Sequence, residues 1–123
     1  MLRYVDGSLS TTPLDMTLQS NATTAETTPT KGDIVMTYTN GSGTATLNTD
    51  LTAEFSANDG GAWTSMTLVA QGTTGSASPH FIVSAHNVTL ATASGTAMRY
   101  RIKTLNQSAA KETRIQAVSL GWS

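Results

Sequence analysis

The stretch "TATLNTDLTAEFSA", residues 44–57, decides the fold, because it carries the longest apolar–polar alternation in the chain. A period of two residues is typical of a β-strand that buries one face and leaves the other in solvent. The residues that follow, "NDGG" at 58–61, tolerate positive φ and predict a tight turn. The chain then resumes as "AWTSMTLVAQG", residues 62–72, which we interpret as the second strand of a hairpin.

This hairpin predicts a register. Phe55 and Trp63 should lie on adjacent antiparallel strands, and Gly60 or Gly61 should adopt positive φ. The acids at positions 50 and 54 fall on the polar, even-numbered face of the alternation. We therefore expect both carboxylates to be solvated.

Similar alternation recurs on both sides of the hairpin, and turn signals separate the segments. The further segments are "PLDMTLQS" (13–20), "DIVMTYT" (33–39), "HFIVSAHNVTL" (80–90), "TAMRYRIKTLN" (96–106) and "TRIQAVSLGWS" (113–123). The chain between the first two is polar and predicts a loop, and "NGSG" (40–43) predicts a turn. Seven to eight short strands without a helical period predict an all-β fold, an antiparallel β-sandwich of jelly-roll or immunoglobulin-like type.

The apolar phase changes within the last segment. Ile115 is odd-numbered, whereas Val118, Leu120 and Trp122 are even-numbered. A β-bulge would restore a single apolar face. The alternative is a strand that is buried on both faces.

Length and composition indicate one domain with a short extension. The chain has 123 residues, of which only 12% are charged, while 23 are threonine. Threonine favours strands and keeps the outer face of a sheet polar. We assign residues 1–12, which mix polar, Gly and Ser residues, to an N-terminal arm or irregular lead-in, and residues 13–123 to the sandwich.

Charge and cysteine content exclude several classes of function. The net charge of −1 provides no field that would attract nucleic acid or an anionic membrane. The chain has no cysteine, so disulfides and thiolate metal sites are excluded. No apolar run approaches the length of a membrane span, and the first residues lack the apolar core of a secretory signal. Release from a cell would then need another route, such as lysis.

The stretch "SANDGGAWTSM", residues 56–66, resembles the Asp-box of sialidase-type β-propellers. Asn58 stands where the motif has aspartate and Ala62 where it has threonine, while Gly60 and Trp63 match. A propeller needs one copy in each of at least four blades, and this chain has one copy. We therefore interpret the stretch as a structural turn with Trp63 packed beneath it.

No other constellation predicts catalysis or a cofactor. His80 and His86 are the only histidines and lie too far apart along an extended strand to share a metal ion. Neither lies in a recognisable nucleophile motif, and no pair of carboxylates is placed for glycoside hydrolysis. The sequence therefore predicts a protein that is not an enzyme and that has no catalytic residues, metal site or cofactor.

Two groups of residues are candidates for binding. Arg99, Arg101 and Lys103, the basic stripe, repeat with a period of two. They form either the solvent face of a strand, which also discourages edge pairing, or a docking surface for an acidic partner. Trp63 and Trp122 are candidates for stacking on a glycan if their rings are exposed, and Trp122 could instead cover the open end of the sandwich.

Three segments carry a resemblance to a known family. They are "KGDIVMTYTNGSGTATLNTDLTAEFSANDGGAWTSMTLV" (31–69), "SGTAMRYRIKT" (94–104) and "KETRIQAVSLGW" (111–122). Together they resemble a β-sandwich domain of structural proteins in tailed bacteriophages, over roughly residues 13–123. The resemblance is one of strands and turns, and it implies no functional residue.

The resemblance implies a structural component of the virion. We expect a capsid decoration (cement) protein or a short surface fibre, made in the host cytoplasm, released by lysis and located on the particle surface. Its partners would be the major capsid protein or tail components, and it would assemble as a homotrimer. The alternative is a module of a tail fibre that binds a host glycan or receptor.

Overall fold

The protein is an antiparallel β-sandwich, as the sequence predicts. The computed structural model describes residues 2–5, 8–75, 79–91 and 94–123. Among these residues no helix is long and apolar enough to cross a membrane. The strands are β1 (Leu2–Val5), β2 (Ser8–Thr11), β3 (Met16–Gln19), β4 (Thr23–Thr24), β5 (Lys31–Ser42), β6 (Leu51–Ser56), β7 (Thr64–Met66), β8 (Val69–Thr74), β9 (His80–Thr89), β10 (Ala97–Thr104) and β11 (Glu112–Trp122).

Nine of the described strands form two sheets. One sheet has the order β3-β10-β6-β7, with β4 also paired to β10, and the other has the order β11-β5-β9-β8. The strands β1 and β2 pair with each other as a separate two-stranded sheet. The predicted number of seven to eight strands was slightly low, since β4 lies inside the expected loop and the segment 62–72 divides into two strands.

The core lies between the two sheets and contains the residues of the apolar phases. Phe55, Leu51 and Ile102 from the five-stranded sheet pack against Ile34 and Met36 from the four-stranded sheet, and all five are buried. Tyr38 follows the apolar phase of β5 and is buried in the core, and Tyr100 packs against the core while remaining half-buried. Alternation therefore identified the inward face of most strands correctly.

The prediction for the central hairpin is confirmed for the antiparallel pairing and for Gly60, whereas Trp63 lies just outside the second strand. β6 and β7 are adjacent and antiparallel, with Phe55 opposite Thr64, and Trp63 immediately precedes β7. Gly60 has φ +86 and Asp59 has φ +63. The turn residues therefore adopt the left-handed conformations that "NDGG" predicts.

Two predicted boundaries around this hairpin were wrong. The "NGSG" segment does not turn at its start, because β5 continues to Ser42, and Gly43 follows with φ +63. Residues 44–50 do not belong to the strand: Leu47 makes only an isolated bridge to Leu51, and Asn48 has φ +67. A local turn interrupts the alternation, although Ala45 and Leu47 still pack on the core.

The segment 62–72 passes from one sheet to the other. β7 pairs with β6 in the five-stranded sheet, whereas β8 pairs with β9 in the four-stranded sheet. Between them, buried Leu68 is held by the side chain of Asn48: Leu68 N donates to Asn48 Oδ1 at 2.8 Å, and Asn48 Nδ2 donates to Leu68 O at 3.0 Å. Because the alternation is continuous across residues 62–72, the sequence predicted a single strand there and not a crossing between sheets.

The last strand contains the bulge that its change of phase predicts. In the pairing of β11 with β5, Ile115 lies opposite Tyr38 and Ala117 lies opposite Thr37, so Gln116 has no opposing residue. The Gln116 amide nitrogen donates to Thr39 Oγ1 at 3.0 Å. The bulge places Ile115 and Val118 on the same inner face.

The residues assigned to an arm include a hairpin. β1 and β2 are antiparallel, with Leu2 opposite Thr11 and Tyr4 opposite Leu9. This regular pairing differs from the irregular lead-in that composition suggested, because no periodic pattern marks two strands of four residues. Nothing in this geometry tests the division into an arm and a sandwich, which stays a prediction.

Candidate docking surface

The Asp-box-like stretch forms a hydrogen-bonded turn. Asn58 Oδ1 accepts hydrogen bonds from the Ser56 hydroxyl at 2.9 Å and from Ala62 N at 2.8 Å. The Ser56 oxygen accepts from the backbone N–H groups of Asn58 at 3.2 Å and Gly60 at 3.0 Å. The side chains of Ser56 and Asn58 are thus used within the turn, in agreement with the structural interpretation of the stretch.

The first residue of the basic stripe is bound within the sheet. Arg99 Nε donates to Asp59 Oδ1 at 2.7 Å, and Arg99 Nη1 donates to the carbonyl oxygen of Ser20 at 2.8 Å. The guanidinium therefore joins the turn after β6 to the end of β3. Its role in this arrangement is structural.

Arg101 is held on two sides. Its guanidinium makes two hydrogen bonds to the Glu54 carboxylate, at 3.1 and 2.7 Å, and its central carbon lies 4.3 Å from the centre of the Trp63 ring. Bidentate pairing and stacking on tryptophan both stabilise arginine in a fixed orientation. Glu54 is half-buried by these contacts, so the expectation of a solvated carboxylate was wrong.

The basic stripe as a whole is largely neutralised by its neighbours. Lys103 Nζ also lies 3.8 Å from Glu54 Oε1, so the three cations share the two acids Glu54 and Asp59. An acidic partner would have to compete with these existing pairs. The geometry thus favours the solvent-face interpretation over a docking surface for an acidic protein.

Neither tryptophan presents a free ring on both faces. Trp63 is half-buried and one face of its ring carries Arg101, while Gly60 closely approaches its edge. Trp122 of β11 is half-buried, lies opposite Gly32 of β5 and packs against the core. A glycan-stacking role for either residue stays a prediction.

Asp50 is buried and paired, which corrects the expectation that it is solvated. Its carboxylate accepts hydrogen bonds from Lys111 Nζ at 2.7 Å, Thr46 N at 2.8 Å and Asn106 Nδ2 at 2.9 Å. These hydrogen bonds, with that from Lys111 the strongest, lower the pKa of Asp50 from its ordinary value of 3.8 to about 2 despite burial. The carboxylate joins the turn before β6 to the β10–β11 connection.

The sandwich is open along one side, between the edge strands β3 and β11. Leu14, Met16 and Leu18, here called the apolar strip, are 45%, 40% and 37% exposed. Met16 and Leu18 lie opposite Thr104 and Ile102 of β10, so they belong to the inner face of the five-stranded sheet. They are exposed because β11, at the edge of the other sheet, does not cover them. The alternation predicted this strand but not its exposure.

A groove separates the apolar strip from β11. Its wider part has a volume of about 650 Å³ and its narrower part about 380 Å³, and both parts are lined by Met16, Thr113 and Arg114. Ile115 and Val118 of β11, both half-buried, face the narrower part. At the rim, Arg114 Nε donates to Glu112 Oε1 at 2.5 Å. The narrower part is lined mainly by apolar side chains, whereas polar and apolar side chains both line the wider part.

Hydrogen bonds fix the floor of the groove. Thr113 N donates to Gln107 Oε1 at 2.7 Å, and Gln107 N donates to Asp15 Oδ1 at 2.9 Å. Met16 N donates to Thr104 Oγ1 at 3.0 Å. The two walls are therefore connected through one glutamine, and the groove is a defined feature of the fold.

Comparison with known protein families, with curated proteins and with solved structures finds no match to this chain. The resemblance to phage structural proteins is therefore neither supported nor opposed by a relative. Within the part of the chain that the structure describes, no group of three or more His, Cys, Asp or Glu side chains is placed to hold a metal ion.

Proposed function

We propose that this chain is a non-enzymatic structural component of a bacteriophage virion, a capsid decoration protein or a short surface fibre that docks on neighbouring virion proteins. The observation that carries the proposal is the open apolar side of the sandwich. Adjoining exposed apolar side chains are one sign of a surface that another protein covers. The sequence resemblance supplies the assignment to a virion.

The alternative function, binding of a host glycan or receptor at a fibre tip, has less support. Such binding would use an exposed aromatic ring beside polar side chains. Trp63 has one ring face covered by Arg101. The apolar strip beside the groove exposes three large apolar side chains, and it favours a protein partner.

The composition of purified particles tests the proposal. Virions of the phage whose genome encodes the chain should contain it in a fixed ratio to the major capsid or tail protein, as measured by quantitative mass spectrometry. Leu18→Asp should reduce this occupancy at least tenfold, because a charge would be buried in the contact.

Val69→Asp provides a matched control. Val69 is also an exposed apolar residue on an edge strand, at 55%, but it lies in the four-stranded sheet away from the groove. This variant should retain normal occupancy. Absence of the chain from purified particles would refute the virion assignment, and equal occupancy of the two variants would refute the role of the groove.

A further inference from the structure

The edge strand β3 directs backbone groups towards the open side of the sandwich. It pairs with β10 on one side, and no strand in the described part of the chain pairs with its other side. Ser20, directly after β3, donates its N–H to the carbonyl oxygen of Tyr100 at 3.0 Å. Backbone groups alternate in direction along an antiparallel strand. Even-numbered residues of β3 therefore direct theirs to β10, whereas Thr17 and Gln19 direct theirs to the open side.

This edge is short but regular. Sheet edges are usually protected against pairing with other molecules by lysine, proline or a bulge. β3 reads Met-Thr-Leu-Gln over its four residues, and its pairing with β10 has no register shift. Among the other described edges of the two larger sheets, β11 and β8 contain register shifts and β7 has three residues. β3 is thus the edge at which regular pairing meets the least obstruction.

The edge of β3 is also complementary to itself. If two copies run antiparallel with Leu18 opposite Leu18, Thr17 of one copy lies opposite Gln19 of the other. Both residues direct their N–H and C=O groups towards the contact, so each facing pair exchanges two hydrogen bonds. The side chains of these facing pairs are uncharged, so no like charges meet on the outer face of the sheet.

The same pairing covers the apolar strip. Met16 and Leu18, which are 40% and 37% exposed, lie on the inner face, where the two copies of Leu18 become direct neighbours. β11 leaves these side chains uncovered and so leaves room for the second copy. Ile115 and Val118 line the groove beside Leu18 and would extend the shared core on each side. Burial of these apolar side chains stabilises the contact beyond its few hydrogen bonds.

We propose that two copies of the chain pair through β3, antiparallel about a twofold axis at Leu18, and so join their five-stranded sheets into one continuous sheet. The inference rests on the proposed function in taking the apolar strip as a covered surface, and it names a second copy as the neighbour that covers it. A contact of this kind uses the same surface on both copies and closes as a dimer. The sequence resemblance implies a trimer instead, so the mass of the assembly distinguishes the two.

Disulfide formation tests the register, because the natural chain has no cysteine. Facing residues of a non-hydrogen-bonded antiparallel pair have Cα atoms about 4.5 Å apart, which a disulfide can span. Leu18→Cys should therefore form a covalent dimer on oxidation of the purified chain, with a yield about tenfold or more above that of Met16→Cys. Met16 is similarly exposed on the same face, but its two copies would lie about 14 Å apart in this register.

Thr17→Pro tests the backbone pairing. The N–H of Thr17 points away from β10, so proline removes hydrogen bonds between the copies and none within the sheet. Light scattering should give twice 12.8 kDa for the natural chain and 12.8 kDa for the variant. The β-sheet signal in circular dichroism should be the same for both proteins.

Three results would overturn the inference. One is a natural chain with the mass of one or three copies, and another is equal cross-linking of Leu18→Cys and Met16→Cys. The third is loss of the β-sheet signal in Thr17→Pro, which would show that this N–H is used within the sheet. All of these measurements use the purified chain without particles. A monomer would overturn the dimer and leave the virion assignment intact, whereas absence from virions would refute that assignment and leave the dimer intact.

Discussion

Asp50 shows how strongly one residue can depend on distant parts of the chain. Its alternation phase is that of an outward residue, yet its carboxylate is buried and binds Lys111 and Asn106, which are 61 and 56 residues away. The same carboxylate accepts from Thr46 N and so holds the turn that begins β6. Asp50 therefore stabilises both a local turn and a long-range connection.

We predict that Asp50→Asn lowers the free energy of unfolding at pH 7 by about 3 kcal/mol, because it breaks a buried ion pair. The pKa of Asp50 is lowered to about 2 in the folded protein, from 3.8. The contribution of Asp50 to the free energy of unfolding is therefore fully present above pH 4 and is lost as the pH falls towards 2. Urea denaturation between pH 2 and 7 should show that the stability of the Asp50→Asn variant no longer falls between pH 4 and pH 2 through loss of this ion pair.

Asp59→Asn is the control for this measurement. Asp59 also pairs with an arginine, but its side chain is 61% exposed, and exposed pairs contribute about 0–1 kcal/mol. A similar loss of stability in both variants would contradict the importance of burial at Asp50.

At the scale of single strands, β11 shows that a break in periodicity carries structural information. The bulge at Gln116 changes the phase, so that Ile115 and Val118 both lie on the inner face. Bulges also occur in β8, where Gly72 has φ +119 in a register shift. Together with the short edge strands β3 and β7, these bulges leave no long regular edge among the described strands of the two larger sheets.

The bulge predicts that two deletions in β11 have different effects. Deleting Gln116 removes the unpaired residue and leaves Ile115, Val118 and Leu120 on the inner face, so we expect a loss below about 1 kcal/mol. Deleting Ser119 should move Leu120 and Trp122 to the other face, at a cost of about 3 kcal/mol or more for the exposed apolar side chains.

Thermal unfolding followed by circular dichroism compares the two deletions directly. The variant without Gln116 should unfold within a few degrees of the natural chain. If it unfolds at the same lowered temperature as the variant without Ser119, Gln116 is not the residue that absorbs the change of phase.

For the whole molecule, the feature that joins the two layers is the crossing of the chain from one sheet to the other after Met66. Thr67 and Leu68 connect β7 in one sheet to β8 in the other, and the Asn48 amide binds both backbone groups of buried Leu68. Asn48 also has φ +67, a conformation that asparagine tolerates better than most residues. One side chain thus fixes the point at which the two layers are joined.

We predict that Asn48→Ala lowers the free energy of unfolding by about 3 kcal/mol, because it leaves two buried backbone groups unpaired and places alanine at positive φ. Asn48→Gly should be less harmful, because it removes the hydrogen bonds without the backbone strain. Chemical denaturation of the three proteins measures both contributions. Equal stability of the alanine and glycine variants would show that the backbone conformation contributes little.

The parts of the fold that sequence predicted are those that local physics controls. The turn at Gly60 and the bulge in β11 depend on neighbouring residues, and both are confirmed. The candidate site was predicted less well. The strand 13–20 was recognised, but the exposure of Met16 and Leu18 depends on the position of β11, about 100 residues later in the chain.

By itself, the sequence determined the all-β class, the inward face of most strands and the residues at the central turn, because alternation and backbone preference act over a few residues. Only the tertiary structure decided that β7 and β8 belong to different sheets, that Asp50 is buried, and that the basic stripe is largely neutralised. It also decided that the apolar strip stays uncovered. Each of these features depends on which distant strands become neighbours, and the alternation within one strand does not specify its neighbours.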